Sequence, residues 1–142
     1  MLLALREGEI LSENAARQIS PLRLAYIGDI VWESLVRLQL LRERRNVHNM
    51  HMGAVKSVNA AAQSSALSII DPFLTETERA VCHRGRNANA RHHAPKHQSE
   101  ANYHAATALE ALFGYLYLTG QDERLLQLFH AAREKEEEPP IE

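Results

Sequence analysis

A chain of 142 residues with 45% hydrophobic residues and a formal net charge of −2 can bury one core of ordinary size. Those figures exclude a generally basic nucleic-acid binder, and no run approaches the ~18 consecutive apolar residues of a membrane span. The single cysteine, Cys82, excludes an internal disulfide framework.

Chain order gives a helical pattern throughout. The opening MLLALREGEI meets charge too early for a signal peptide, and with one cysteine this points to the cytoplasm. Ser20-Pro21 supplies a cap followed by proline at the first helical position. Leu22, Ile27, Ile30, Val31, Leu35 and Leu38 then recur at helical spacing, so a helix is expected to about Leu41, where RERRN breaks it. A second helix is expected through AVKSVNAAAQSSAL, with Val55, Val58 and Ala62 on one face. Asp71-Pro72 reads as a turn, and Thr75 to Glu78 as a capping box opening a short helix that Gly85 closes. Residues 85–98, GRNANARHHAPKHQ, read as a loop in which Pro95 forbids a helix interior. Ser99 caps the next helix, whose run ALEALFGYLYL ends before Gly120, and a last helix carries Leu125, Leu126, Leu128 and Phe129. No period-2 strand is present, so the expected class is all α. We expect one domain over 1–142, with its core over about 20–130 and an acidic tail over about 134–142.

Two acids interrupt otherwise apolar helical stretches: Asp29 within LAYIGDIVW and Glu110 within ATALEALFG. A carboxylate among core residues is costly unless its charge is satisfied, and a shared Mg²⁺ would satisfy both. The competing reading points each acid outward from an amphipathic helix. Glu33 lies one turn after Asp29, and Thr107 one turn before Glu110, so both are further candidate metal ligands. The small residues Ala25, Gly28 and Ala106 would leave room for a hydrated ion. From Arg79 to Ser99 there are five Lys or Arg residues, four histidines and no acid. Within that stretch Arg84, Arg86, Arg91 and Lys96 are candidate phosphate contacts and Asn87 a sugar contact, against the alternative of a merely solvated loop. His92, His93 and His97 raise the idea of zinc, but Pro95 intervenes and no cysteine lies close by. Cys82 has no nucleophile motif around it and reads as a packed thiol.

The string LRLAYIGDIVWE resembles the ribonuclease III signature E-R-L-E-x-x-G-D-x-V, and ATALEALFGYLYL resembles the family's second motif, D-x-x-E-A-x-x-G-A-x-Y-L. RGRNAN, AVKSVNAAAQ and EALFGYLYL are similar to its short bacterial branch, Mini-ribonuclease III, which lacks a separate double-stranded-RNA-binding domain. The resemblance spans roughly Ser20 to Phe129 and implies the helical, dimeric ribonuclease III catalytic fold. It implies a Mg²⁺-dependent endoribonuclease that hydrolyses structured RNA to 5′-phosphate and 3′-hydroxyl ends, with Asp29 and Glu110 as catalytic and metal-holding residues. The signature's two glutamates fall on Leu22 and Ala25, and the second motif's aspartate on Thr107, which leaves a reduced carboxylate set. The implied partners are the precursor of 23S ribosomal RNA, a second copy meeting the signature helix at Tyr26, Ile30 and Trp32, and an accessory ribosomal protein. A non-catalytic RNA-binding module on the same fold is the competing reading.

Overall fold

The computed structural model describes residues 6–43, 46–88 and 99–134. Among them run α1 (Glu13–Arg17), α2 (Pro21–Arg42), α3 (Val47–Val58), α4 (Ala60–Ile70), a 3-10 turn (Asp71–Phe73), α5 (Glu76–Ala88), α6 (Glu100–Leu118) and α7 (Asp122–Arg133). No strand occurs among the described residues, and the fold is all α.

Helix starts follow the local chemistry of their caps. Ser20 accepts the amide of Arg23 ahead of Pro21, and Ser99 accepts the amide of Asn102. The Thr75–Glu78 box closes reciprocally: the Thr75 hydroxyl accepts the Glu78 N–H at 3.1 Å, and the Glu78 carboxylate accepts the Thr75 N–H at 2.9 Å. Arg124 of α7 donates to both oxygens of that carboxylate at 2.8 and 2.9 Å, so the cap also ties α5 to α7.

Beyond the unanticipated α1 and the start of α3 at Val47, the helices differ further from those expected. The single helix expected across residues 54–67 is two, α3 and α4, because Asn59 leaves the helical region at φ −73°, ψ 160°. Its side chain donates to the Lys56 carbonyl and accepts the Ala62 amide, ending one helix and starting the next. Gly85 does not close α5, which continues to Ala88. That glycine is buried against α6, where an added Cβ would sit 3.0 Å from the Ala111 methyl. The loop expected over 85–98 therefore starts later, and residues 89–98 lie outside the described residues.

Helix α6 is the centre of the molecule. From Ala105 to Tyr117 every residue but Glu110 is buried, with α2, α4, α5 and α7 packed around it. Trp32 of α2, 1% exposed, meets the Phe113 ring at 5.1 Å and the Phe129 ring at 5.3 Å, both edge to face. This corrects the sequence expectation for Trp32. Its indole is sealed in the protomer's own core and presents no surface to a second copy. Tyr26 and Ile30, in contrast, are 75% and 54% exposed on α2. Ahead of α1, Arg6 donates to the Tyr117 carbonyl at 2.6 Å and pairs with Asp122 at 2.9 Å, pinning the start of the described chain to the α6–α7 junction.

Candidate active site

Helices α2 and α6 approach until their backbones touch. A Cβ built on Gly28 would fall 1.6 Å from the Glu110 carbonyl oxygen, and one on Gly114 would fall 2.0 Å from the Leu24 carbonyl oxygen. Only hydrogen at both positions permits that crossing. Asp29 follows Gly28, and the atom filling the space at Gly28 belongs to Glu110, so the turns bearing the two acids are pressed together. The room expected at Gly28 for a hydrated ion is thus occupied by the α6 backbone. Ala25 and Ala106 are buried as well.

The two carboxyls sit at different depths. Asp29 is exposed and Glu110 half-buried. Burial, then the charge of Asp29, pushes the Glu110 carboxyl up to about 8. Burial, then the charge of Glu33, raises Asp29 above the usual carboxylate range. Among the described residues neither acid makes an ion pair. Ionisation of Glu110 is thus opposed first by its burial and then by the Asp29 charge.

The other expected ligands are placed less directly. Glu33 accepts from Arg37 at 2.7 and 3.1 Å, so its charge already has a partner one turn on. Thr107 is 7% exposed, and its hydroxyl donates to the Tyr103 carbonyl at 3.1 Å. No group of three or more His, Cys, Asp or Glu suited to a metal occurs among the described residues. His92, His93 and His97, with Arg91 and Lys96, lie outside the described residues.

Of the expected RNA contacts, Arg84, Arg86 and Asn87 are exposed on the last turns of α5. Asn87 is within 3.0 Å of the His83 ring nitrogen Nε2. Gly85 lies 3.3 Å, measured from its would-be Cβ, from the Thr107 carbonyl, which stacks this cationic turn beside the start of the carboxylate-bearing half of α6. The two arginines leave α5 roughly 100° to either side of Gly85, so they serve different faces. Arg86 enters a cavity shared with α4. Cys82 is buried, and burial pushes its thiol up to about 12, as a packed and unreactive cysteine requires.

Comparison with known proteins decides the family. A model described as the Ribonuclease III domain matches residues 22–121, which spans both acids and the helix crossing. A protein named Mini-ribonuclease 3 from Symbiobacterium thermophilum is 48% identical over 115 residues, covering 80% of this chain and 88% of that one. The chain belongs to the ribonuclease III family, in its Mini-ribonuclease 3 branch. The Mini-ribonuclease 3 of a Synechococcus strain is 42% identical over 114 residues, covering 80% of this chain and 81% of its own. A crystal structure of a protein from Fusobacterium nucleatum matches this ribonuclease III domain with a TM-score of 0.75 and 29% identity, covering 84% and 96% of the two chains. The activity is that of an endoribonuclease of the ribonuclease III type.

Gly114 is the partner of Gly28 at this crossing, and its one signal in the sequence is a glycine standing without local reason in an apolar helical run. Arg6 carries no such signal, since nothing nearby in sequence announces its contacts with Tyr117 and Asp122.

Proposed function

We propose that the chain is a Mg²⁺-dependent endoribonuclease that cleaves double-stranded or structured RNA as a cytoplasmic homodimer. Its substrate on this reading is the precursor of 23S ribosomal RNA, aided by a ribosomal protein that presents it, as the likeness to the Mini branch suggests. The observation that supports the catalytic part is the backbone contact of Gly28 with Glu110, which presses together the helix turns bearing two acids that make no ion pair among the described residues.

The donor set suits the ion. Mg²⁺ binds oxygen, keeps several waters, and is held by one or two carboxylates plus substrate phosphate rather than by an all-protein cage. Asp29 and Glu110 would hold it, each losing the penalty that now opposes its ionisation, and Thr107 would add a neutral oxygen through water. Glu33, engaged by Arg37, is an outer partner at most. Bound there, Mg²⁺ supplies Lewis-acid chemistry that makes water a better nucleophile and offsets charge on phosphate and leaving oxygen. A water oxygen bonds to phosphorus as the bond to the 3′ oxygen breaks, leaving a 5′-phosphate and a 3′-hydroxyl.

Positioning falls to the cations. Arg84, Arg86, Arg91 and Lys96 neutralise backbone phosphates, and Asn87 reaches a sugar hydroxyl. The test is duplex-RNA cleavage with Mg²⁺ or EDTA, using the native chain, Asp29→Asn and Glu110→Gln. Cleavage only by the native chain with Mg²⁺ supports the reading. Cleavage that survives EDTA and both substitutions overturns it, and tight binding without cleavage restores the non-catalytic module.

A further inference from the structure

A polar cavity of about 400 Å³ lies between α4, α5 and the start of α6, lined by Ser64, Leu67, Ser68, Asp71, Arg86, Ala101 and Ala105. It is separate from the carboxylates. Ala105 stands five residues before Glu110, about 7 Å along α6 and about 140° around it, so the two side chains leave different faces of that helix.

From these residues we infer that the cavity is a second binding site, for the ribose–phosphate backbone of RNA, and that it helps tell RNA from DNA. The inference rests on the function proposed above and assigns Ser64, Ser68 and Asp71 a part in it.

The chemistry of the lining selects this ligand over a bare anion. Arg86 makes no ion pair among the described residues and is the cavity's cation, suited to a phosphate. Asp71 would repel an isolated anion but can accept a hydrogen bond from a sugar hydroxyl. Arg79 already binds it, through both carboxylate oxygens at 3.3 Å and its carbonyl at 2.8 Å, which softens its charge. Ser68 donates its proton to the Ser64 carbonyl at 3.2 Å, so its oxygen is turned into an acceptor. The Ser64 hydroxyl can donate or accept. A phosphate donor beside several hydroxyl acceptors matches one phosphate and a neighbouring 2′-hydroxyl, the group that distinguishes RNA from DNA. The volume lies within the range of small-ligand pockets. Because Ala105 and Glu110 leave different faces of α6, the nucleotides held here are not those being cut.

The experiment measures binding of Mg²⁺-free full-length chain to an all-RNA duplex and to the same duplex carrying 2′-deoxy positions. Ser64→Ala/Ser68→Ala should weaken all-RNA binding several-fold and leave the deoxy duplex unaffected, with the sensitive hydroxyls mapping away from the cleaved bond. Arg86→Ala should lower the salt slope by about one ion for both duplexes, and Arg86→Lys should restore it. These serines and Arg86 are not core residues, and an unchanged melting curve confirms that each variant is folded. Equal loss on both duplexes for the serine variant, or an unaltered salt slope for Arg86→Ala, overturns the inference. If the native chain binds no duplex RNA at all, the proposed function itself fails instead.

Discussion

Glu110 and Glu78 show one residue type used with opposite sign. Burial and the Asp29 charge raise the Glu110 carboxyl from 4.5 to about 8. Between those values the folded protein keeps a proton that the unfolded chain has released, so stability without a divalent cation falls as pH rises across that window. Glu110→Gln removes the penalty. In EDTA at pH 9 it should be more stable than the native chain by on the order of 1–2 kcal/mol, yet cut RNA at least ~10²-fold more slowly. A loss of stability in that variant would contradict the like-charge account. At Glu78, burial pushes the carboxyl up, but hydrogen bonds from Arg124 and Thr75 and the guanidinium charge outweigh it and hold it below 4.5. Its contribution is present in full above the ordinary carboxylate range and is lost as pH falls through the lowered value. Glu78→Gln should cost about 2–4 kcal/mol at neutral pH and flatten the acid limb of the stability curve.

At the scale of helices, the α2–α6 crossing is the least tolerant feature. Gly28→Ala and Gly114→Ala drive a methyl into backbone oxygen at 1.6 and 2.0 Å, so the helices must separate. Each should lose at least ~3 kcal/mol in urea titrations and lose cleavage with it. Gly85→Ala meets the Ala111 methyl at 3.0 Å and should cost markedly less, and equal costs at all three would refute the ranking. Local signals were legible beforehand: the Ser20, Thr75 and Ser99 caps are written in adjacent residues, and so was the helical class. What could not be read depends on distant partners. Gly85 looks like a helix stop until α6 lies against it, and Trp32 looks available to a second copy until Phe113 and Phe129 enclose it. The site divides the same way. The flanking motifs singled out Asp29 and Glu110, but Glu33's engagement by Arg37 and the filled space at Gly28 emerge only in three dimensions.

The whole protomer leaves an apolar stripe on α2, where Leu22, Tyr26, Ile30, Leu38 and Leu41 are each at least 40% exposed. In the homodimer proposed above this water-facing row would be the shared face, and a two-fold pairing would give one carboxylate site for each strand of a duplex. Tyr26→Arg combined with Ile30→Asp should halve the mass seen by sedimentation without lowering helix content. Duplex cleavage should fall to single-strand nicking or below. A native chain already monomeric at micromolar concentration would remove this prediction's basis. Trp32→Ala should behave differently, losing about 3–5 kcal/mol through a core cavity, with any change in association secondary.

The contact of Gly28 with Glu110 also has a bearing on timing during synthesis. The strand of chain holding Asp29 is made early, and the one holding Glu110 is made late. A growing polypeptide collects near-neighbour contacts before distant ones. Until α6 has emerged, a nascent chain carries only one of the two acids proposed to act together, so on that reading a translating ribosome and its message meet no working nuclease. Competence arrives with the final third of translation, fixed by the order in which the two halves are made.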